Sequence, residues 1–187
     1  MVDLVNCSFY MMTMNKLSYV PEESLGFMTI TANRLMNGLL RRKMREAGID
    51  LSGDQWGILT MLWERGELPQ EELTRLACMD KSGMSRLLSQ MEARGLIGRR
   101  PDAANARRRL IHATDRAWSL RERGVAAARE ALEQALADVG EQDRIVCLKV
   151  LETVKRTLQQ GACQSFSGVR EKAQATGKRE DALWKPS

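Results

Sequence analysis

The chain has 187 residues, with 29 Lys and Arg against 24 Asp and Glu, a formal net charge of +5. Hydrophobic residues at 43% and charged residues at 28% are ordinary for a globular protein and argue against wholesale disorder, while the length suits one compact domain plus tails. Aromatics are only 5%, with 4 Pro and 11 Met, a balance that favours helices packed with Leu, Met and Ala over a β-sandwich.

No stretch approaches the ~20 apolar residues of a membrane-spanning helix. The longest uncharged run, 4–15, follows Asp3 rather than a basic segment and makes a poor signal peptide, so a cytoplasmic protein without membrane contact is expected. The 4 cysteines, at 7, 78, 147 and 163, form no CxxC pair, and His112 is the single histidine. A Cys/His zinc site needs clustered ligands, so neither a metal nor another cofactor is expected. There is no GxSxG string beside the lone imidazole and no GxxxxGK[ST] phosphate loop, which makes an enzyme improbable.

In chain order, residues 1–23 form an N-terminal extension. A long amphipathic helix is expected over 24–47, with Met28, Ala32, Leu35 and Leu39 on one stripe and Met36 and Leu40 beside it. Ser52 opens a second helix with Gln55 three residues on, a capping box, and Trp56, Leu59, Leu62 and Trp63 supply its buried face. A third starts near Pro69 or Gln70, with Leu73, Leu76 and Ala77 inward. After a corner at 78–80, Asp80 caps a fourth helix over 81–94 whose core side is Met84, Leu87, Leu88 and Met91.

Residues 96–113 read as a β-hairpin, LIGRR and RRRLIHA flanking a tip near 103–106. Thr114 caps a fifth helix reaching about Val139, roughly 36 Å long at ~1.5 Å per residue. A sixth, 141–160, carries Ile145, Leu148, Leu151, Val154 and Leu158. Gly48, Gly66, Gly95, Gly140 and Gly161 punctuate the helices as stops, and 161–187 reads as a disordered tail.

The charge is concentrated. Between positions 81 and 109 the bases are Lys81, Arg86, Arg94, Arg99, Arg100, Arg107, Arg108 and Arg109 and the acids are Glu92 and Asp102, a net +6 that leaves −1 for the rest. A polyanion-binding face requires such concentration, because each neutralised phosphate releases counterions. This basic span covers the second helix of a helix-turn-helix and the hairpin that follows, which together make a winged helix. The expected fold is therefore mainly α: six helices, with a β-hairpin wing between helices 4 and 5.

Over 24–160 the sequence resembles the MarR family of bacterial transcriptional regulators. LSGDQWGILTML is similar to the family's second-helix opening, EELTRLACMDKSGMSRLLSQMEARGLI to its helix-turn-helix, and RRPDAANARRRLIHAT to its wing. The resemblance implies a homodimer knit by helices from both ends of the chain, 24–47 and 115–160. A DNA-binding lobe at 52–113 would be offered twice to double-stranded DNA carrying a pseudo-palindromic operator. It places Lys81, Ser82, Gly83, Ser85, Arg86 and Gln90 toward the major groove, where Arg86 can fork onto guanine. On the wing it implies Asn105, Arg107, Arg108 and Arg109, with Arg107 in the minor groove. The family usually has aspartate where Asn105 stands, so bracing of the wing arginine by a neutral amide is weaker here. Arg99 and Arg100 suit hairpin braces as well as DNA contacts.

The family's regulation by small aromatic acids implies a candidate ligand crevice with Trp56 on one wall and Arg34 or Met36 opposite; a core role for Trp56 is the alternative. Cys78 and Cys147 read as packing. The leading function is a sequence-specific DNA-binding regulator, a homodimeric repressor relieved by a small ligand. The alternatives are a winged-helix protein-interaction module, or a redox-sensing regulator using Cys7.

Overall fold

The computed structural model describes residues 20–176, except for the side chains of Ala106, Arg107 and residues 161–176. Six helices occupy it: α1 Leu25–Glu46, α2 Gly53–Arg65, α3 Gln70–Leu76, α4 Lys81–Ala93, α5 Asp115–Ala135 and α6 Glu141–Thr176. A 3-10 turn at Pro21–Glu23 precedes them. Three strands, β1 Leu68–Pro69, β2 Ile97–Asp102 and β3 Asn105–Ala113, form an antiparallel sheet in the order β1-β3-β2. The described helices include none long and apolar enough to cross a membrane.

Local chemistry explains the boundaries. Ser24, Ser52, Asp80 and Thr114 each accept a hydrogen bond from a backbone N–H three residues on, which satisfies an otherwise orphaned donor. At Ser52 the capping box is reciprocal: Gln55 N donates to Ser52 Oγ and Ser52 N to Gln55 Oε1, both at 3.2 Å. α4 stops where Gly95 takes φ +67 and Leu96 N reaches back to Met91 O at 2.9 Å, a left-handed turn that glycine adopts without strain.

Two expected boundaries differ, and one strand is additional. The fifth helix closes at Ala135 rather than Val139, with Leu136 N donating to Leu132 O as its cap. The sixth runs through Gly161 to Thr176, so Gly161 is no stop and the helix takes in 161–176 of the expected tail. One interior glycine lowers helix propensity by only about 1 kcal/mol, too little to end a long helix. Strand β1 was not expected at all; two residues are too few for an alternating pattern to register.

The described residues fall into two units, one up to Leu136 and one from Ala137. The first has a single core. Met44 from α1, Ile58, Leu59 and Leu62 from α2, Leu73 from α3, Met84, Leu88 and Met91 from α4, and Ile111 from β3 are almost fully buried. α1 and α5 pack together, Lys43 pairing with Glu130 and Arg123 donating to Ala47 O at 3.2 Å. The second unit is α6, whose apolar residues Ile145, Leu148, Leu151, Val154 and Leu158 are all exposed within one chain.

Trp56 and Trp63 meet edge to face with centroids 5.3 Å apart, and Trp63 continues to Trp118 at 6.3 Å. Trp56 occupies the space beside Gly124 of α5: a Cβ at Gly124 would lie 2.4 Å from its ring. Gly57, in α2, has open space where its Cβ would be. Gly124→Ala is therefore expected to destabilise by about 1–3 kcal/mol through overpacking. Gly57→Ala should stabilise by about 0.5–1 kcal/mol through helix propensity. Urea unfolding midpoints of the two variants should move in opposite directions.

Candidate nucleic-acid interface

The corner between α3 and α4 is tight. Cys78 takes a left-handed φ of +51, and Met79 N bonds Thr74 O at 3.2 Å. Asp80 then caps α4, its Oδ1 accepting from Ser82 Oγ at 2.6 Å and Gly83 N at 2.8 Å. These two donors, the Ser82 hydroxyl foremost, hold the Asp80 carboxyl below its ordinary range. Position 83 has its own reason to be glycine, because a Cβ there would press on Asp80 Oδ2 at 3.0 Å. Ser82 and Gly83 thus build the cap, while the hydroxyl of Ser85 is left to other partners.

Around α4 the chemistry divides by face. Met84, Leu87, Leu88 and Met91 are buried, as their spacing anticipates. Lys81, Ser82, Ser85, Arg86 and Gln90 are exposed, and Gly83 is half-buried. Ser89 lies on the same outward stripe and was missed in the sequence; serine at an exposed helical position carries no periodic signal.

The wing is the β2–β3 hairpin, paired from Ile97↔Ala113 to Pro101↔Arg109 before the register jumps to Asp102↔Asn105. The jump leaves residues 106–108 out of the ladder, a bulge that redirects the strand beside them. Asp102 stabilises the tip, accepting Ala104 N at 2.9 Å. A carboxylate therefore does sit at the turn, on the strand opposite exposed Asn105. Arg108 and Arg109 are both exposed; neither points inward. The Arg107 side chain lies outside the described residues.

The arginines of the basic span separate into two groups. Arg94 donates to Gln55 Oε1 at 3.0 Å and reaches Asp50, tying the end of α4 to the capping box of α2. Arg99 Nε lies 3.1 Å from Glu92 Oε2. Arg100 donates from Nε to Glu67 Oε2 at 2.6 Å, and that bond holds the Glu67 carboxyl below its usual range. Arg99 and Arg100 are braces of the hairpin. Among the described residues Lys81, Arg86, Arg108 and Arg109 make no ion pair within 4 Å. Between wing and helix-turn-helix lies a cleft of about 350 Å³ lined by Pro69, Gln70, Glu71, Thr74, Lys81, Arg108 and Arg109. Gln70 and Thr74 are further residues the sequence did not single out, because only the β1–β3 pairing brings them to the wing.

The residues expected around a ligand crevice lie on α1 and α2. Arg34 and Met36 are both exposed on α1, and two residues apart on a helix means about 200° of rotation, so at most one of them faces Trp56. Trp56 is half-buried against Gly124 and Trp63. The α1 residue against the start of α2 is Asn37, whose Oδ1 would lie 2.1 Å from a Cβ at Gly53. Cys78 and Cys147, read as packing, are exposed thiols. Cys7 lies outside the described residues.

A helix-turn-helix with an adjoining basic wing, its unpaired cations turned outward, defines a winged-helix DNA-binding transcriptional regulator. Residues 51–108 match the model of the MarR family. A probable transcriptional regulator from Pseudomonas aeruginosa is 32% identical, covers 71% of this chain and 98% of its own, and superposes with a TM-score of 0.64. The chain belongs to the MarR family, whose members are transcriptional regulators and not enzymes. Two other solved structures share the fold. Sco3205 of Streptomyces coelicolor, a MarR family regulator solved in complex with DNA, is 24% identical over 75% of this chain and 94% of its own, TM-score 0.65. BpsR of Bordetella bronchiseptica, solved to explain regulation of its DNA binding by 6-hydroxynicotinic acid, is 17% identical over 74% and 97%, TM-score 0.66.

The cap gives the interface a pH dependence. Because the Asp80 carboxyl is lowered on folding, its contribution is complete above the unfolded value near ~3.9 and is lost as pH falls through the folded value. Asp80→Asn, which keeps a capping side chain but cannot titrate, should lose less of its thermal midpoint than the parent between about pH 5 and 2.

Proposed function

We propose that the protein is a homodimeric repressor that binds a pseudo-palindromic operator and is released by a small aromatic ligand. The observation that carries the DNA reading is the outward stripe of α4. Its cations Lys81 and Arg86, like Arg108 and Arg109 on the wing, make no ion pair among the described residues, while Arg94, Arg99 and Arg100 of the basic span each have one. In this reading Ser85, Arg86 and Gln90 meet base edges, and Lys81 and the N-terminal turn meet phosphate. Ser82 and Gly83 act through the Asp80 cap. Asn105, Arg107, Arg108 and Arg109 present the wing, Arg107 entering the minor groove.

Residues 52–113 form the DNA-binding lobe, and 24–47 with 115–160 the dimerisation helices. Pairing of two chains is supported by apolar side chains left in solvent by one chain, among them Leu35 on α1 at 77% exposure and Leu148 on α6 at 68%. The ligand is supported by BpsR, whose DNA binding is regulated by 6-hydroxynicotinic acid. Release requires a ligand that prefers one separation of the two recognition helices over the other.

An operator selected from random duplexes allows the test by fluorescence anisotropy. Arg86→Ala should weaken binding by about 1–3 kcal/mol and relax base preference, whereas Arg107→Ala should weaken binding and leave that preference intact. Parent-like binding by both would refute the assignment, and an affinity insensitive to salt would favour a protein-interaction module. Sedimentation should give a dimer for the parent and a shift toward monomer for Leu148→Asp.

A further inference from the structure

We propose that the cleft between the wing and the helix-turn-helix is a phosphate seat, built by Lys81, Arg108 and Arg109 with the side-chain amide of Gln70. The seat deepens the DNA-binding reading on which it rests. It adds the β1–α3 junction to the interface and gives Arg108 and Arg109 one shared task.

Three features point to an anion. The space is about 350 Å³, within the range of roughly 300–1,000 Å³ common to small-ligand sites. Three cations converge on it from two elements, Lys81 from the start of α4 and both arginines from β3. Three cations against the single lining carboxylate of Glu71 leave an excess of positive charge, and an arriving anion relieves the repulsion among them. The bulge at residues 106–108 supplies the third feature. Strict strand alternation would send Arg108 and Arg109 to opposite faces, yet both line the same cleft.

The rest of the lining narrows the chemistry. Pro69 has no N–H to donate, and Thr74 Oγ1 already donates to Gln70 O at 2.8 Å. The Gln70 amide is thus the neutral side-chain donor left at the seat. Glu71 is the one carboxylate in the lining; neighbouring Glu72 is held by Arg75, Nε to Oε2 at 3.0 Å. Guanidinium groups bind phosphate oxygens in paired, charge-assisted bonds, and a phosphate offers enough acceptors for three cations and an amide. Lys81 lies one turn before Ser85 and Arg86, so an anion held there sits at the margin of the surface offered to the duplex.

The discriminating variant is Gln70→Glu. It opens α3, where Glu71 and Glu72 already follow and a carboxylate suits the start of a helix, so the fold should persist. Operator affinity should fall on the order of tenfold at about 0.1 M salt, with the preference for operator over scrambled duplex unchanged. Arg109→Ala should lower the slope of log affinity against log salt by about 1. A second arm titrates inorganic pyrophosphate against sulfate at equal ionic strength. Displacement of operator by pyrophosphate from the parent but not from Gln70→Glu supports a seat open to free phosphates. No difference between the two salts, with Gln70→Glu still weakened, supports a seat for a duplex phosphate alone. Parent-like binding by Gln70→Glu and Arg109→Ala, while Arg86→Ala binds weakly, overturns the seat and leaves the DNA reading standing. If the parent binds no duplex, the DNA reading fails, and absence of saturable pyrophosphate binding then overturns the seat as well.

Discussion

Burial of one side of α4 governs the rest of the molecule. Met84, Leu88 and Met91 are fully buried in the core, where α4 packs against α2, α3 and β2. Each such side chain contributes roughly 1.5–3 kcal/mol by leaving water, and together they set the rotation of the helix about its axis. A turn of about 100° would expose a methionine and drive a charged or polar side chain into the core. The outward position of Ser85, Arg86 and Gln90 follows from that penalty. No attraction to a ligand is needed to hold them there, so the surface stands ready before any duplex arrives.

The wing is positioned by different physics. Ile97 and Ile111 anchor its base in the core, while the more distant part of the hairpin depends on polar ties. Arg100 holds Glu67 from the segment before β1, Arg99 lies against Glu92 on α4, and Arg94 joins α4 to the capping box of α2. Exposed ion pairs of this kind contribute little stability individually. Their effect is on orientation, since each links the basic region to a different neighbouring element. The positive charge of the span thus divides between cations that hold the lobe together and cations left for a partner.

The two units differ in how much apolar surface they bury. Up to Leu136 the chain encloses a core contributed by α1 to α5 and the sheet, whereas α6 leaves Ile145, Leu148 and Leu158 in solvent. The N-terminal half of α1 is similar, with Leu25, Met28 and Leu35 exposed. An amphipathic helix stabilised only by propensity is marginal, because most helical stability in proteins comes from packing an apolar face. Such faces need cover, and the pairing of two chains proposed for this family member supplies it.

The sequence by itself determined the six helices, their starts and the hairpin. Ser52, Asp80 and Thr114 are caps whose effect is confined to one helical turn, and the 3.6-residue spacing of Met84, Leu87, Leu88 and Met91 specifies a buried face whatever packs on it. That locality made the order of six helices and a hairpin, and the outward α4 residues other than Ser89, readable from the string. Tertiary structure decided which arginines are free, because Glu67 and Arg100, or Gln55 and Arg94, are far apart along the chain and meet only after folding. It also decided that Trp56 fills the space beside Gly124, and that the thiols of Cys78 and Cys147 are exposed. Burial and pairing are properties of what stands opposite a residue, and one-dimensional spacing carries no record of the opposite side.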